Sequence, residues 1–250
     1  MRGHISILPA LFLSLLSFAV FTHCSVKERR EGCPCLLLLD LESAGPDSLM
    51  VWVASGRDFS FADTLAGFSL YRVPVPRAPL RLLCYRGGPL DIPYGEACPP
   101  LWMDTALLTG AGEAVRWRPC LHKSYCALRL DVHGESGPLA ALPAVRVYGH
   151  VCGYQEDGTP REGPFSVDLT CPDGVGTVLL PRQWDASLML DVRWGGVLRT
   201  FALGELLHES GYDWTRPDLE DLSLFIDFAA TDITLDYPMF QPGPDQETVI

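Results

Sequence analysis

Cysteine carries most of the chemistry this chain could do, and the sequence holds nine of them. Cys24 stands apart. Arg2 supplies a positive charge, Ile5 to Phe21 runs without a charged side chain and is broken only by Pro9, and Cys24 closes the segment. A basic start, an apolar middle and a processing site are the parts of a secretory signal. The run is too short and wrongly flanked for a comfortable membrane span, which needs about 20 apolar residues. No small-x-small tripeptide marks a cut. A cysteine sits instead where a bacterial lipoprotein carries its acylated sulfur, although the residue before it is His23 rather than Gly, Ala or Ser. The expectation is removal of 1–23, acylation of Cys24 with palmitate-type chains, and a tether over 24–32. An uncleaved N-terminal anchor, or a cut elsewhere, is the alternative. Two or more acyl chains anchor stably where one does not.

Eight cysteines remain: Cys33, Cys35, Cys84, Cys98, Cys120, Cys126, Cys152 and Cys171. An even number in an exported chain is compatible with disulfides. Eight permit about 105 pairings, so connectivity is not readable. Cys84 with Cys98, Cys120 with Cys126 and Cys152 with Cys171 are the sequence neighbours that close most cheaply. Buried thiols acting as small apolar side chains are the other reading. Cys33-Pro34-Cys35 lacks a second Cys/His pair at metal-site spacing. His122 with Cys126 has the composition of a nucleophile and its base, but on a strand it reads as packing. Asp218, Glu220 and Asp221 form an acidic cluster without the pattern of a calcium loop. No Gly-x-Ser-x-Gly elbow, His-Glu-x-x-His or phosphate loop is present, so the sequence predicts no enzyme and no cofactor.

Cleavage before Cys24 leaves 227 of the 250 residues, enough for one large domain or two of about 100. The net charge is −12, and only Lys27 and Lys123 are lysines. Such acidity argues against nucleic-acid partners, which need basic patches. It also leaves the lipid to do the anchoring. There is no Asn, so N-linked glycosylation is ruled out.

Short apolar or alternating runs recur between turn residues. Leu36 to Leu41, Met50 to Val53, Phe68 to Val73 and Leu80 to Tyr85 read as strands, the third ending at Pro74 and Pro76 as an edge strand would. Leu121 to Val132 closes a first β-sandwich over 33–134. Gly134 to Pro143 reads as a boundary, with a linker over 135–143. A second β-sandwich and acidic tail fill 144–250. It contains Val145 to Cys152, Phe165 to Thr170, Gly176 to Leu180 and a hairpin about Gly195-Gly196, with one helical turn over Leu203 to Glu209. Leu222 to Phe228 and Ile233 to Tyr237 alternate. Strands at roughly 8–12-residue spacing predict an all-β chain of two tandem sandwiches.

Four groups of residues carry a resemblance. Cys24 to Glu28 with Cys33-Pro34-Cys35 is one, and His122-Lys123-Ser124-Tyr125 the second. Gly149 to Tyr154 with Gly163-Pro164-Phe165 is the third. The last is Phe201 to Glu205, Gly211 to Trp214, Asp218-Leu219 and Ile226-Asp227-Phe228. In this order the chain resembles the anchoring (accessory) subunits of Bacteroidales-type lipoprotein fimbriae, including minor-fimbrium anchors. The resemblance implies two transthyretin-like (Ig-like) sandwiches and a surface-exposed lipoprotein of the cell outer membrane. It implies a protein that attaches a fimbrium, limits its elongation and takes part in adhesion. The implied partners are a major or minor shaft subunit, joined by strand exchange, and membrane lipid through Cys24. The exchange could involve Leu36 to Leu41 or Ile233 to Tyr237. The competing reading is a surface lipoprotein that binds glycan or another ligand through aromatics such as Trp184 and Trp214.

Overall fold

The computed structural model describes residues 33–45, 47–134 and 142–236. The signal, Cys24 and its tether, residues 135–141 of the linker and the tail from 237 lie outside them. The described chain is all-β and forms two sandwiches. In the first, a three-stranded sheet has the order β4 (Leu70–Val75), β1 (Cys35–Asp40), β7 (Ala114–Trp117). It faces a five-stranded sheet of β3 (Phe59–Leu65), β2 (Leu49–Ser55), β5 (Pro79–Gly87), β6 (Leu101–Thr109) and β8 (His122–Lys123). In the second, β11 (Pro160–Thr170), β10 (Ala144–Tyr154), β13 (Met189–Trp194) and β14 (Val197–Phe201) form one sheet. The other has the order β12 (Val175–Pro181), β9 (Tyr125–His133), β15 (Leu222–Asp227), β16 (Asp232–Asp236). A short helix, α1 (Leu203–Glu209), follows β14.

Alternation sets the inward faces. In β1, Cys35, Leu37 and Leu39 are fully buried, whereas Leu36 is exposed, although all but the first belong to one leucine run. Side chains of a strand point to opposite faces with a period of two, so a uniform run still has one buried face. The Gly195-Gly196 turn joins β13 to β14 with both φ angles positive, 56° and 84°, as a two-residue primed turn requires. β4 is an edge strand, as its prolines suggested, and runs on through Pro74, which pairs with Leu36.

One strand departs from the sequence reading. β9 belongs to the second sandwich, not the first. It runs antiparallel to β12, with Cys126 opposite Leu180, and parallel to β15, with Leu128 opposite Leu222. Its Cys126, Leu128, Leu130 and Val132 lie in the second core. The crossing between sandwiches is therefore at Ser124, whose N–H donates to the Leu101 carbonyl at 2.9 Å, rather than within 135–143. Alternation correctly splits the two faces of β9, but it carries no information about which apolar sheet receives them.

At the end of β1, Asp40 is the buried charge of the first sandwich. It accepts from Arg118 Nη2 at 2.6 Å, Arg118 Nε at 3.0 Å and Arg116 Nη2 at 2.7 Å. The Arg118 guanidinium holds the Asp40 carboxyl below its ordinary value of 3.8; burial opposes this, and the Glu42 amide and Arg116 reinforce it. Asp168 and Asp218 are lowered too, chiefly by Arg146 and by the Lys123 amide respectively. A carboxylate with a depressed folded-state pKa stabilises above its unfolded pKa, and that contribution is lost as pH falls through the folded value. The thermal midpoint should therefore be level above about pH 5 and fall steeply below about pH 4. Asp40→Asn should lower the midpoint at pH 7, with the gap to wild type closing under acid. A gap that stays constant with pH would contradict the assignment.

Candidate docking edges and the inter-sandwich junction

The eight cysteines beyond Cys24 are all unbridged. Cys35, Cys84, Cys98, Cys126, Cys152 and Cys171 are buried, and Cys33 and Cys120 are exposed. The neighbour pairs suggested by sequence are not joined. Cys84 lies in the first core and Cys98 in the second, despite their closeness in sequence. Burial pushes the thiols of Cys84, Cys98 and Cys126 up to about 12, which keeps them protonated and poorly nucleophilic. His122 turns to Asp218, Nδ1 to Oδ2 3.1 Å, rather than serving Cys126 as a base. His150, on β10, faces solvent.

The acidic cluster is neither a cation loop nor a free solvated one. Asp218 accepts from the Lys123 amide at 2.7 Å, and Asp221 accepts from the Ala127 amide at 2.7 Å and from the Lys123 ammonium. Glu220 pairs with Arg216. These carboxylates fasten the loop before β15 to the crossing between β8 and β9. Among the described residues no group of three or more His, Cys, Asp or Glu is placed to hold a metal ion. Nor does any described helix have the length and apolarity to cross a membrane. Trp214 is half-buried against the second core and meets Tyr212 edge-on at 4.7 Å, while Trp184 is 54% exposed. The two tryptophans offer one open ring rather than a platform.

Of the two strands that sequence offered for exchange, β1 has β4 on one side and β7 on the other, so both its edges are taken. β16 is an edge strand: β15 covers one side, and no described strand pairs with the other. The edge strand of the facing sheet, β14, lies close by. Arg199 of β14 donates to the Ala229 carbonyl at 3.4 Å and to the Thr231 hydroxyl, both in the β15–β16 turn. Its guanidinium sits 4.6 Å from the Phe228 ring, and Trp194 lies 5.8 Å from that ring. Phe201, Ile233 and Leu235 stay half-buried along this side, and Val197 and Leu198 are exposed. Two unpaired edges and a partly covered apolar row are what an added strand would use, main chain for affinity and alternate side chains for register.

The sandwiches are locked together elsewhere. Leu83, Leu101 and Met103 occupy outward positions on β5 and β6, yet all three are buried, because Tyr154 of β10 packs on them. The Tyr154 hydroxyl donates to the Ser124 carbonyl and accepts from the Arg182 amide at 2.8 Å. The β5–β6 connection reciprocates by sending Ile92 and Cys98 into the second core. Its backbone is stitched to β10: Ile92 N–H to the Cys152 carbonyl and Tyr154 N–H to the Leu90 carbonyl, both 2.8 Å. Gly153 makes this approach possible. Its φ is +135°, and a Cβ there would lie 2.0 Å from the Leu90 oxygen.

No protein-family model matches the chain, and no curated protein sequence does. Solved structures do. The chain superposes on a candidate polysaccharide-binding protein of Bacteroides thetaiotaomicron with TM-score 0.55 and 10% identity, over 81% of this chain and 96% of that one. A candidate adhesin from the same organism gives 0.53 and 14%, over 82% and 96%. The fimbrial anchor protein Mfa2 of Porphyromonas gingivalis gives 0.52 and 12%, over 81% and 95%. At such identities the likeness establishes the fold: this chain has the two-sandwich fold found in a fimbrial anchor and a candidate adhesin of Bacteroidales.

Proposed function

We propose that this protein is a non-enzymatic, lipid-anchored accessory subunit of a fimbrium. In this reading Cys24 carries the acyl chains that fix it to the outer membrane, exposed on the cell surface. The two sandwiches hold the base of the fibre and limit its elongation. The observation that most supports the reading is the fold shared with a fimbrial anchor protein over 81% of this chain and 95% of that one, behind an export segment that ends in cysteine. An anchor engages its polymer at one end only, since the other is committed to lipid. The open side between β14 and β16 suits exchange of a strand with a shaft subunit. Such a contact involves main-chain hydrogen bonds along a whole strand and should survive detergent. Affinity purification of the tagged protein from solubilised outer membranes should therefore recover a fimbrial shaft subunit. Recovery of the protein alone, from cells that carry fibres, would overturn the proposal.

A further inference from the structure

The outer face of the β11-β10-β13-β14 sheet is organised in register rows. One row places Asp168, Arg146, Asp191 and Thr200 side by side across the four strands. The next places Thr170, Ala144, Arg193 and Leu198. Directly opposed positions on one face stand about 5 Å apart, so neighbours in a row are within reach of one another. The first row is fixed by its own bonds. Arg146 donates Nε to Asp168 Oδ1 at 2.7 Å and Nη2 to Oδ2 at 3.2 Å, and Thr200 Oγ1 donates to Asp191 Oδ1 at 2.6 Å. The second row has a gap, because Ala144 has only a methyl group between Thr170 and Arg193. The result is a hollow of about 340 Å³, at the small end of the ligand-pocket range of about 300–1,000 Å³.

We propose that this hollow binds one neutral hexopyranose unit of a glycan. The lining holds two arginines and two aspartates, so its formal charges cancel, and a phosphate or acidic peptide would meet Asp168 and Asp191 as well as the cations. Arg193 has no ion-pair partner among the described residues. It and the Thr170 hydroxyl offer donors, and the two carboxylates keep lone pairs to spare. A sugar hydroxyl both donates and accepts, so this mixed, pre-bonded lining matches it with little ordering cost. One exposed aromatic ring lies outside the hollow, beyond the Asp168–Arg146 row. Tyr94 is 69% exposed, and the neighbouring Gly95 N–H donates to the Ser166 carbonyl at 3.0 Å, which ties this loop to β11 two residues from Asp168. An exposed ring next to convergent polar groups can cover the C–H face of a pyranose. The site is independent of the anchoring reading.

The test uses the full protein as purified from cells, in a sugar-free detergent, observed by saturation-transfer NMR with methyl glucoside, methyl galactoside and methyl mannoside as probes. At least one hexoside should receive saturation on its ring protons. Arg193→Ala should weaken that binding by about tenfold or more, the loss of roughly one charged hydrogen bond. Ala144→Trp, which fills the hollow, should abolish it, and Trp184→Ala should leave it unchanged. If Ala144→Trp does not fold, the exposed Arg193→Ala decides the matter. Absence of transfer to all three hexosides would overturn the proposal, as would transfer that Arg193→Ala leaves intact. Preferential binding of methyl glucuronide would also overturn it, in favour of an anion site.

Discussion

Tyr154→Ala should cost the fold about 4 kcal/mol, among the largest losses a single substitution causes. The ring is 2% exposed and is wedged between β10 and the outer face of β5 and β6. Truncation removes its packing on Leu83, Leu101 and Met103 and opens a cavity at the junction. It also strips partners from the buried Ser124 carbonyl and the partly buried Arg182 amide. Tyr154→Phe isolates the hydroxyl and should cost about 1–2 kcal/mol, since the ring stays and only the polar pairing goes. Gly153→Ala attacks the same seam through the backbone and should be comparably severe, because the Leu90 carbonyl has no room to retreat while the Ile92–Cys152 bond holds. Urea unfolding checks all three. A loss below about 1 kcal/mol for Tyr154→Ala would mean that the sandwiches are not held together here.

Cys24→Ser should move the protein from the membrane fraction to the soluble one almost completely. Acylation needs the thiol, and a serine hydroxyl gives no thioether. With a net charge of −12 the chain has no electrostatic hold on anionic lipid to fall back on. Two or more acyl chains contribute about 0.8 kcal/mol per buried methylene, so their loss leaves almost no affinity. Fractionation of cells expressing the variant gives the answer, and retention at wild-type level would place the anchor elsewhere. This prediction is separable from the first. Membrane partition reads the anchor, whereas urea unfolding reads the sandwiches.

The elements legible in the sequence were those fixed by local rules. The Leu36 to Leu41 run, the two faces of β9 and the Gly195-Gly196 hairpin follow from side-chain alternation and turn chemistry, which operate within a few residues. The segment from Leu203 to Glu209 reads as one helical turn and is a seven-residue helix, a modest extension. Non-local features were harder. The parallel pairings of β1 with β7 and of β9 with β15 join strands roughly 80 to 95 residues apart, and no local pattern encodes a partner at that distance. That is why a local reading puts β9 in the first sandwich, whereas its sheet partners put it in the second. β3 and β6 are hard to read because Asp63 and Asp104 interrupt their inward positions, and part of β6's outward face is buried by the other sandwich; β7 is only four residues long. The same limit explains the sites. Asp218 and Asp221 look like a surface cluster until the chain crossing at Lys123 is brought beneath them. The hollow at Ala144 exists only because Thr170, Arg193 and Leu198 fall into register around it.

The functional account turns on whether fibres need this protein at their base. Electron microscopy of cells lacking it, compared with cells carrying it and cells complemented with the intact gene, is the direct measurement. The account predicts fibres that are longer than normal and shed into the medium, with both changes reversed on complementation. Fibres of unchanged length, still attached to the deletion strain, would contradict it.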